Sequence, residues 1–224
     1  PSEMYLGETL LVSSKQKADC FNKYFVDLPD KISRDIPSVQ KSYHEFLKPN
    51  KDNTSLFFTP TSRSEILNFV SLLKPFKSSG SDDIAPRVIK ECIQNFVEPL
   101  CNIFNKSLSQ GIVPDKLKVA KVVPVFKRDD NKNIVNYRPI ALLPIFSKIL
   151  EKIVYKRVYD FLLKKETLIP QQFGFRKHFS TSMGVFNLLN AIIKSFDMNE
   201  FCLGIFLDLS KAFDTIDHSI LLRK

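Results

Sequence analysis

No stretch of this 224-residue chain stays apolar for long. Its longest strongly apolar run, Cys202 to Leu207, falls far short of the ~20 residues that a membrane-spanning helix needs. No basic segment leads into an apolar one, as it would in a secretory signal. Cysteine is scarce: Cys20, Cys92, Cys101 and Cys202 form no C-x-x-C pair, and His44, His178 and His218 are equally scattered. That spacing argues against a zinc site and against a disulfide framework, and thiols at such low density suit a reducing compartment. Cys92 and Cys101 fall on apolar helix faces and are expected to be small core residues. Internal repeats and low-complexity tracts are missing as well. The chain has neither an initiator methionine nor a natural ending, so it is expected to be a piece of something longer.

What is present argues for a folded protein. Hydrophobic residues make up 44% of the chain and include 20 Phe, too much apolar surface for a disordered tail. The length suffices for one large or two small domains with a real core. Formal net charge is +9, and residues 115–177, with 15 Lys/Arg against 6 Asp/Glu, carry all of it. The remainder is neutral. A segment that holds the whole excess suits a polyanionic partner, such as nucleic acid or nucleotide phosphates; the alternative is a solvated basic face.

Hydrophobic periodicity divides the chain into elements. Asp19 to Val26 suggests a short amphipathic helix, after which Pro29, Pro37, Pro49 and Pro60 break the pattern and Lys48 to Ser55 reads as a loop. Ser62 to Glu65 fits a capping box opening a helix with Ile66, Leu67, Phe69, Val70, Leu72 and Leu73 on one stripe, ended by Pro75. Lys77 to Pro86 is a loop opening a second helix, which Glu98 and Pro99 interrupt before it runs to Gly111. Val119 to Lys127 is β-branched and predicts a strand, with Pro124 at an edge or bulge. Arg128 to Asn133 then turns it, and Ile140 to Leu143 begins the return. The hairpin so formed bears Lys121, Lys127, Arg128, Lys132 and Arg138. Ser147 to Lys164 is a strong helix with Lys148, Lys152 and Lys156 along one face. Those lysines suit either the phosphates of a polyanion or solvent. Ser180 to Phe196 is a further helix, with Leu188, Leu189, Ile192, Ile193 and Phe196 facing inward. Phe201 to Leu207 suits a buried central strand that ends at Asp208.

A carboxylate at the end of a buried strand is costly unless a cation or hydrogen bonds compensate it. Magnesium prefers such hard oxygen ligands, so Asp208 suits phosphoryl or nucleotidyl transfer. The competing possibility is that Asp208 or Ser210 caps the next helix.

The surrounding segments bear on that choice. Asn136 to Leu143 reads NYRPIALL, Ser147 to Lys152 reads SKILEK, Gln172 to Arg176 reads QFGFR with Ser180-Thr181 following, and Phe206 to Asp214 reads FLDLSKAFD. In that order and spacing the chain resembles the reverse transcriptase of non-LTR (LINE-type) retrotransposons over about residues 60–224. Gly80 to Pro86 (GSDDIAP) resembles the family's G-x-D-x-I-P segment, Val122 to Lys127 (VVPVFK) its apolar-Pro-apolar-Lys strand, and Asp19 to Phe25 faintly its connector.

The resemblance implies an α+β, right-hand polymerase fold, incomplete here. Residues 1–60 would be a connector preceding the polymerase, 61–200 helix-rich fingers with a β-hairpin and adjoining palm, and 201–224 the first catalytic palm strand and helix. Asp208 would be the first catalytic aspartate, holding Mg²⁺ with the Leu209 backbone carbonyl in a two-metal transfer. Phe213 would be the steric gate against a ribose 2′-hydroxyl. Lys127 and Arg138 would hold the triphosphate, and Gln172, Gly174, Phe175 and Arg176 would lie near the template, with Arg176 the contact. Implied partners are an RNA template, a DNA primer and deoxynucleoside triphosphates, with no membrane; cytoplasmic assembly and nuclear action would follow. The chain departs from the pattern in three ways: it lacks the tryptophan usual near Leu117, it has His178-Phe179 before Ser180, and it contains no F/Y-x-D-D box. The expected function is therefore a segment of an RNA-directed DNA polymerase, inactive alone. A co-opted, non-enzymatic nucleic-acid-binding relic is the alternative.

Overall fold

The structure, a computed structural model, describes residues 1–35, 42, 45, 55–209, 212–213 and 215–223. Most of the loop expected at Lys48 to Ser55 lies outside the described residues, as do Pro37, Pro49, Ser210, Lys211 and Asp214. The chain divides into two compact units, Pro1–Tyr155 with Lys211–Lys224, and Lys156–Ser210.

The first unit holds two cores. One is built from helices α2 (Arg63–Ser71) and α3 (Pro86–Gln110) and the start of α5 (Ile145–Lys164). Ile66, Val70, Ile89, Ile93, Val97, Phe104, Ile149 and Ile153 are its buried residues, joined by Leu100, Ile145 and Leu150. Each such side chain removed from water contributes about 1.5–3 kcal/mol. The capping reading of Ser62 holds, since its side chain accepts from the Glu65 N–H at 3.2 Å. Lys90 donates to the Ser71 and Leu73 carbonyls at the far end of α2, at 2.9 and 3.1 Å. Gly111, at φ 69°, closes α3. Pro99 does not interrupt α3, contrary to expectation. It sits on the exposed side between buried Val97 and Leu100, whose packing offsets the missing hydrogen bond. Cys92 is exposed instead of buried, and only Cys101 touches this core.

The second core was not visible in the sequence pattern. A three-residue hairpin, β1 (Met4–Leu6) and β2 (Thr9–Leu11), precedes helix α1 (Ser14–Asp35), which runs through Pro29 and exceeds the span expected for it. Met4, Leu11, Phe21 and Ile134 are buried together, flanked by Tyr24, Phe25 and Tyr137. The N-terminal 35 residues thus pack on the segment between β3 (Lys121–Phe126) and β4 (Tyr137–Leu142). A short helix, α4 (Asp115–Lys118), leads into β3.

The second unit contains the end of α5, a turn-rich segment and α6 (Thr181–Asp197), which Ser180 caps. Here two expectations fail. Leu188, Leu189, Ile193 and Phe196 on α6 are exposed, and α6 has no buried residue. Phe201 to Leu207 forms no strand, and Phe206 and Leu207 are 83% and 89% exposed. A buried strand needs flanking strands for its backbone groups, and the only sheets among the described residues are the two hairpins. The helix expected after Asp208 begins later, as α7 (His218–Arg223).

Candidate functional site

The β3–β4 hairpin carries the basic residues in a defined register. Val125 pairs with Arg138 and Phe126 with Tyr137, so the return strand starts three residues before the expected Ile140. The Lys127 N–H donates to the Asn136 carbonyl at 2.9 Å, which extends the ladder one step. Side chains alternate faces along a strand, so Lys121, Val123, Val125 and Lys127 share one face with Arg138, Ile140 and Leu142. Lys127 and Arg138 are diagonal neighbours there, about 7–8 Å apart at this kind of position. The opposite face carries Phe126 and Tyr137, and the Tyr137 ring meets Phe21 of α1 edge-on at 5.1 Å. One face is therefore anchored, and the basic one is left to solvent.

Neighbouring charges are partly committed. Lys121 lies 3.9 Å from Asp83, and Arg128 lies 3.6 Å from Asp129. Among the described residues no carboxylate lies within 4 Å of Lys127 or Arg138. A point charge beside a planar fork, neither with a counter-ion among the described residues, is a fitting receptor for a phosphate chain. The GSDDIAP loop braces the hairpin base. Gly80 is buried against the backbone of Leu143 and Pro144, and the Ser81 hydroxyl donates to the Val119 carbonyl at 3.1 Å. A Cβ at Gly80 would lie 2.3 Å from the Pro144 nitrogen. That is the physical reason for glycine at this position of the motif.

On α5, Lys148 and Lys152 are half-buried beside a shallow apolar groove with Leu73, Glu151 and Tyr155. Lys156, one turn further, is exposed. In the second unit, the segment 172–176 presents Gln172, Gly174 and Phe175 to solvent, Phe175 at 88% exposure and φ 60°. Arg176, expected to be the contact, is held from within. Its Nη1 donates to the Ile169 carbonyl at 2.8 Å, and its guanidinium lies 4.1 Å from the Phe179 ring centre. Phe173 packs against Phe179 and over Gly184 of α6, so it serves the local fold.

Asp208 and Leu209 lie in an exposed segment, and Phe213 is 75% exposed. The helix-cap alternative for Asp208 does not match the structure. Asp217 caps α7, accepting from the Ser219 and Ile220 N–H groups at 2.8 and 3.2 Å, and the Ser219 hydroxyl bond above all holds its carboxyl below the ordinary range. The Asp208 carboxylate and Leu209 carbonyl are hard oxygen donors of the type magnesium takes. Two oxygens fall well short of an octahedral set, and the described residues contain no cluster of three or more His, Cys, Asp or Glu side chains fit for a metal. Among those residues no helix is long and apolar enough to cross a membrane.

Comparison with known proteins adds what geometry does not give. Residues 127–224 match the family model of the reverse transcriptase (RNA-dependent DNA polymerase). The match starts at Lys127 and includes every candidate site residue. A relative named probable RNA-directed DNA polymerase from transposon BS, of Drosophila melanogaster, is 28% identical over 97% of this chain and 24% of its own length. The RNA-directed DNA polymerase from mobile element jockey of the same species is 29% identical over 84% of the chain and 20% of itself. Its namesake in Drosophila funebris is 30% identical over 74% of the chain and 18% of itself. The chain thus spans about a quarter or less of the curated relatives it matches. The alignment with the first relative takes in nearly the whole chain, beyond the part that the family model matches.

Proposed function

We propose that the chain carries part of a reverse transcriptase domain of the kind found in non-LTR retrotransposons, and that its β3–β4 hairpin binds the triphosphate of an incoming deoxynucleotide during RNA-directed DNA synthesis. The supporting observation is the diagonal placement of Lys127 and Arg138 on the solvent face of one hairpin, neither with a carboxylate partner among the described residues. Lys127 supplies a point charge and Arg138 a bidentate fork, so together they orient the phosphate chain and offset its charge.

Asp208 is the proposed first catalytic carboxylate, with the Leu209 carbonyl beside it as a second oxygen donor. Phe213 is the proposed gate against a 2′-hydroxyl. Gln172, Gly174 and Phe175 form the proposed template surface, with Phe175 a stacking platform for an unpaired base and Arg176 the residue that shapes the loop. Lys148, Lys152 and Lys156 extend the basic surface along α5 for template phosphates. RNA template and DNA primer are the corresponding partners, with assembly in the cytoplasm and action in the nucleus.

Calorimetric titration of the 224-residue chain with a deoxynucleoside triphosphate tests the reading. Arg138→Ala and Lys127→Ala are each expected to weaken binding by about tenfold, the worth of one charge-assisted hydrogen-bonded contact. Unchanged affinity in both variants removes the hairpin from nucleotide binding. Asp208→Asn should leave this affinity unaltered when no divalent ion is present.

A further inference from the structure

The ten residues between β3 and β4 would be a mobile connection if they were unsupported. They are instead tied down from two sides. Within the segment, the Asp130 carboxylate accepts from the Lys132 N–H at 2.9 Å, and the Asn136 amide donates to the Asp130 carbonyl at 2.9 Å. From outside comes the N-terminal hairpin. The Tyr5 N–H donates to the Lys132 carbonyl at 2.9 Å, Tyr5 bridges Asn133 in parallel fashion, and the Tyr5 hydroxyl donates to the Asp130 carboxylate. Ile134, fully buried, drops from the same segment into the core shared with Met4 and Leu11 of that hairpin. The segment begins at Lys127 and ends one residue before Tyr137–Arg138. Whatever holds it fixes the spacing of the two proposed triphosphate ligands.

We propose that Tyr5, with the β1–β2 hairpin, is a positioning element for nucleotide binding: it holds the 127–136 segment so that Lys127 and Arg138 are presented to the triphosphate already in place. The proposal rests on the nucleotide-binding reading of those two residues. Its physical basis is pre-organisation, because a segment ordered before the ligand arrives costs no ordering entropy when it binds. Tyr5 touches no ligand and acts only through the segment.

The test uses the 224-residue chain, Tyr5→Phe, and inorganic tripolyphosphate as probe, with amide hydrogen exchange as a second readout. Removal of the Tyr5 hydroxyl should speed exchange at the Lys127 and Asn136 amides about fivefold and weaken tripolyphosphate by a similar factor, the worth of one hydrogen bond. The unfolding midpoint should hardly move, since the Tyr5 ring and its backbone bond remain. Asp130→Ala in the Tyr5→Phe background should add less than it does alone, because both changes break one bond. Unaltered exchange in Tyr5→Phe overturns the proposal. So does faster exchange with unaltered affinity, provided that Arg138→Ala weakens the same probe. If Arg138→Ala leaves tripolyphosphate binding intact, the nucleotide reading itself fails, and the exchange rates alone then decide whether Tyr5 holds the segment.

Discussion

Single residues set the limits within which this hairpin works. Gly80 has no room for a side chain: an added Cβ would meet backbone atoms of Leu143 and Pro144 at 2.3–2.6 Å, and backbone cannot swing aside as a side-chain tip can. Gly80→Ala is therefore expected to cost about 1–3 kcal/mol, the usual range for overpacking, read as a lower unfolding midpoint. It should also loosen β3, because Ser81 next to it holds the Val119 carbonyl. The Tyr5–Asp130 pair adds a pH dependence. The Tyr5 hydroxyl, and after it the Lys132 N–H, hold the Asp130 carboxyl below its ordinary range. A depressed carboxyl contributes stability above its unfolded pKa and loses it as pH falls through the folded value. The same bond pushes Tyr5 up. A raised phenol contributes below its unfolded pKa and loses that contribution as pH rises through the folded value. The bond should thus hold across neutral pH, opening only in acid below the ordinary carboxyl range and in base above the ordinary phenol range. Both groups lie at the surface, where solvent screens the effect on global stability. Exchange at the Asn136 amide across a pH series, corrected for intrinsic rates, is the measurement.

At the scale of elements, α3 shows a preference overruled by packing. A proline inside a helix costs about 3 kcal/mol relative to alanine, yet the helix runs unbroken from Pro86 to Gln110 because Val97, Leu100 and Phe104 are buried around that point. Pro99→Ala restores an N–H on the exposed side and should raise the unfolding midpoint; a lower midpoint would show that the proline ring packs better than the regained bond. The same competition explains what was legible in the sequence. Helices α2, α5 and α6 were readable because an apolar stripe and a serine cap, or a stripe alone, coincide with the segment that folds. The β3–β4 hairpin was readable from its β-branched run, although Tyr137 to Pro139 also join it, with Tyr137 meeting Phe21, a contact 116 residues away in sequence. Helix α1 had a local signal that went unread: Ser13 and Gln16 form a reciprocal cap, with bonds of 3.2 and 3.0 Å. The Phe201–Leu207 run failed differently. Its composition states a preference for burial between strands, and no described strand lies beside it to satisfy that preference. Lys127 and Arg138 were legible as a pair only through family resemblance. The register then supplied what spacing alone does not, a shared face.

For the molecule as a whole, charge is distributed more simply than structure. Of the 15 Lys/Arg in residues 115–177, nine fall in the first compact unit, against four acidic residues, and six fall in the second, against two. Each part of the basic segment is thus positive by itself, while the rest of the chain is neutral. A protein that displaces counter-ions from a single strand loses affinity with a log–log slope of about −0.7 per phosphate neutralised. Four to six contacts, a modest share of those cations, give an expected slope of about −3 to −4 for single-stranded RNA. Fluorescence anisotropy over a salt series measures it. Lys148→Glu with Lys152→Glu should reduce the slope by about 1 to 2, since two contacts are lost and two repulsions gained. Lys15→Glu with Lys23→Glu, the same change in charge placed on α1, should leave it nearly unaltered. If both double variants shift the slope equally, RNA is responding to net charge alone and the basic segment has no privileged role. A loss confined to the α5 variant would place the nucleic acid along the lysine face proposed for the template.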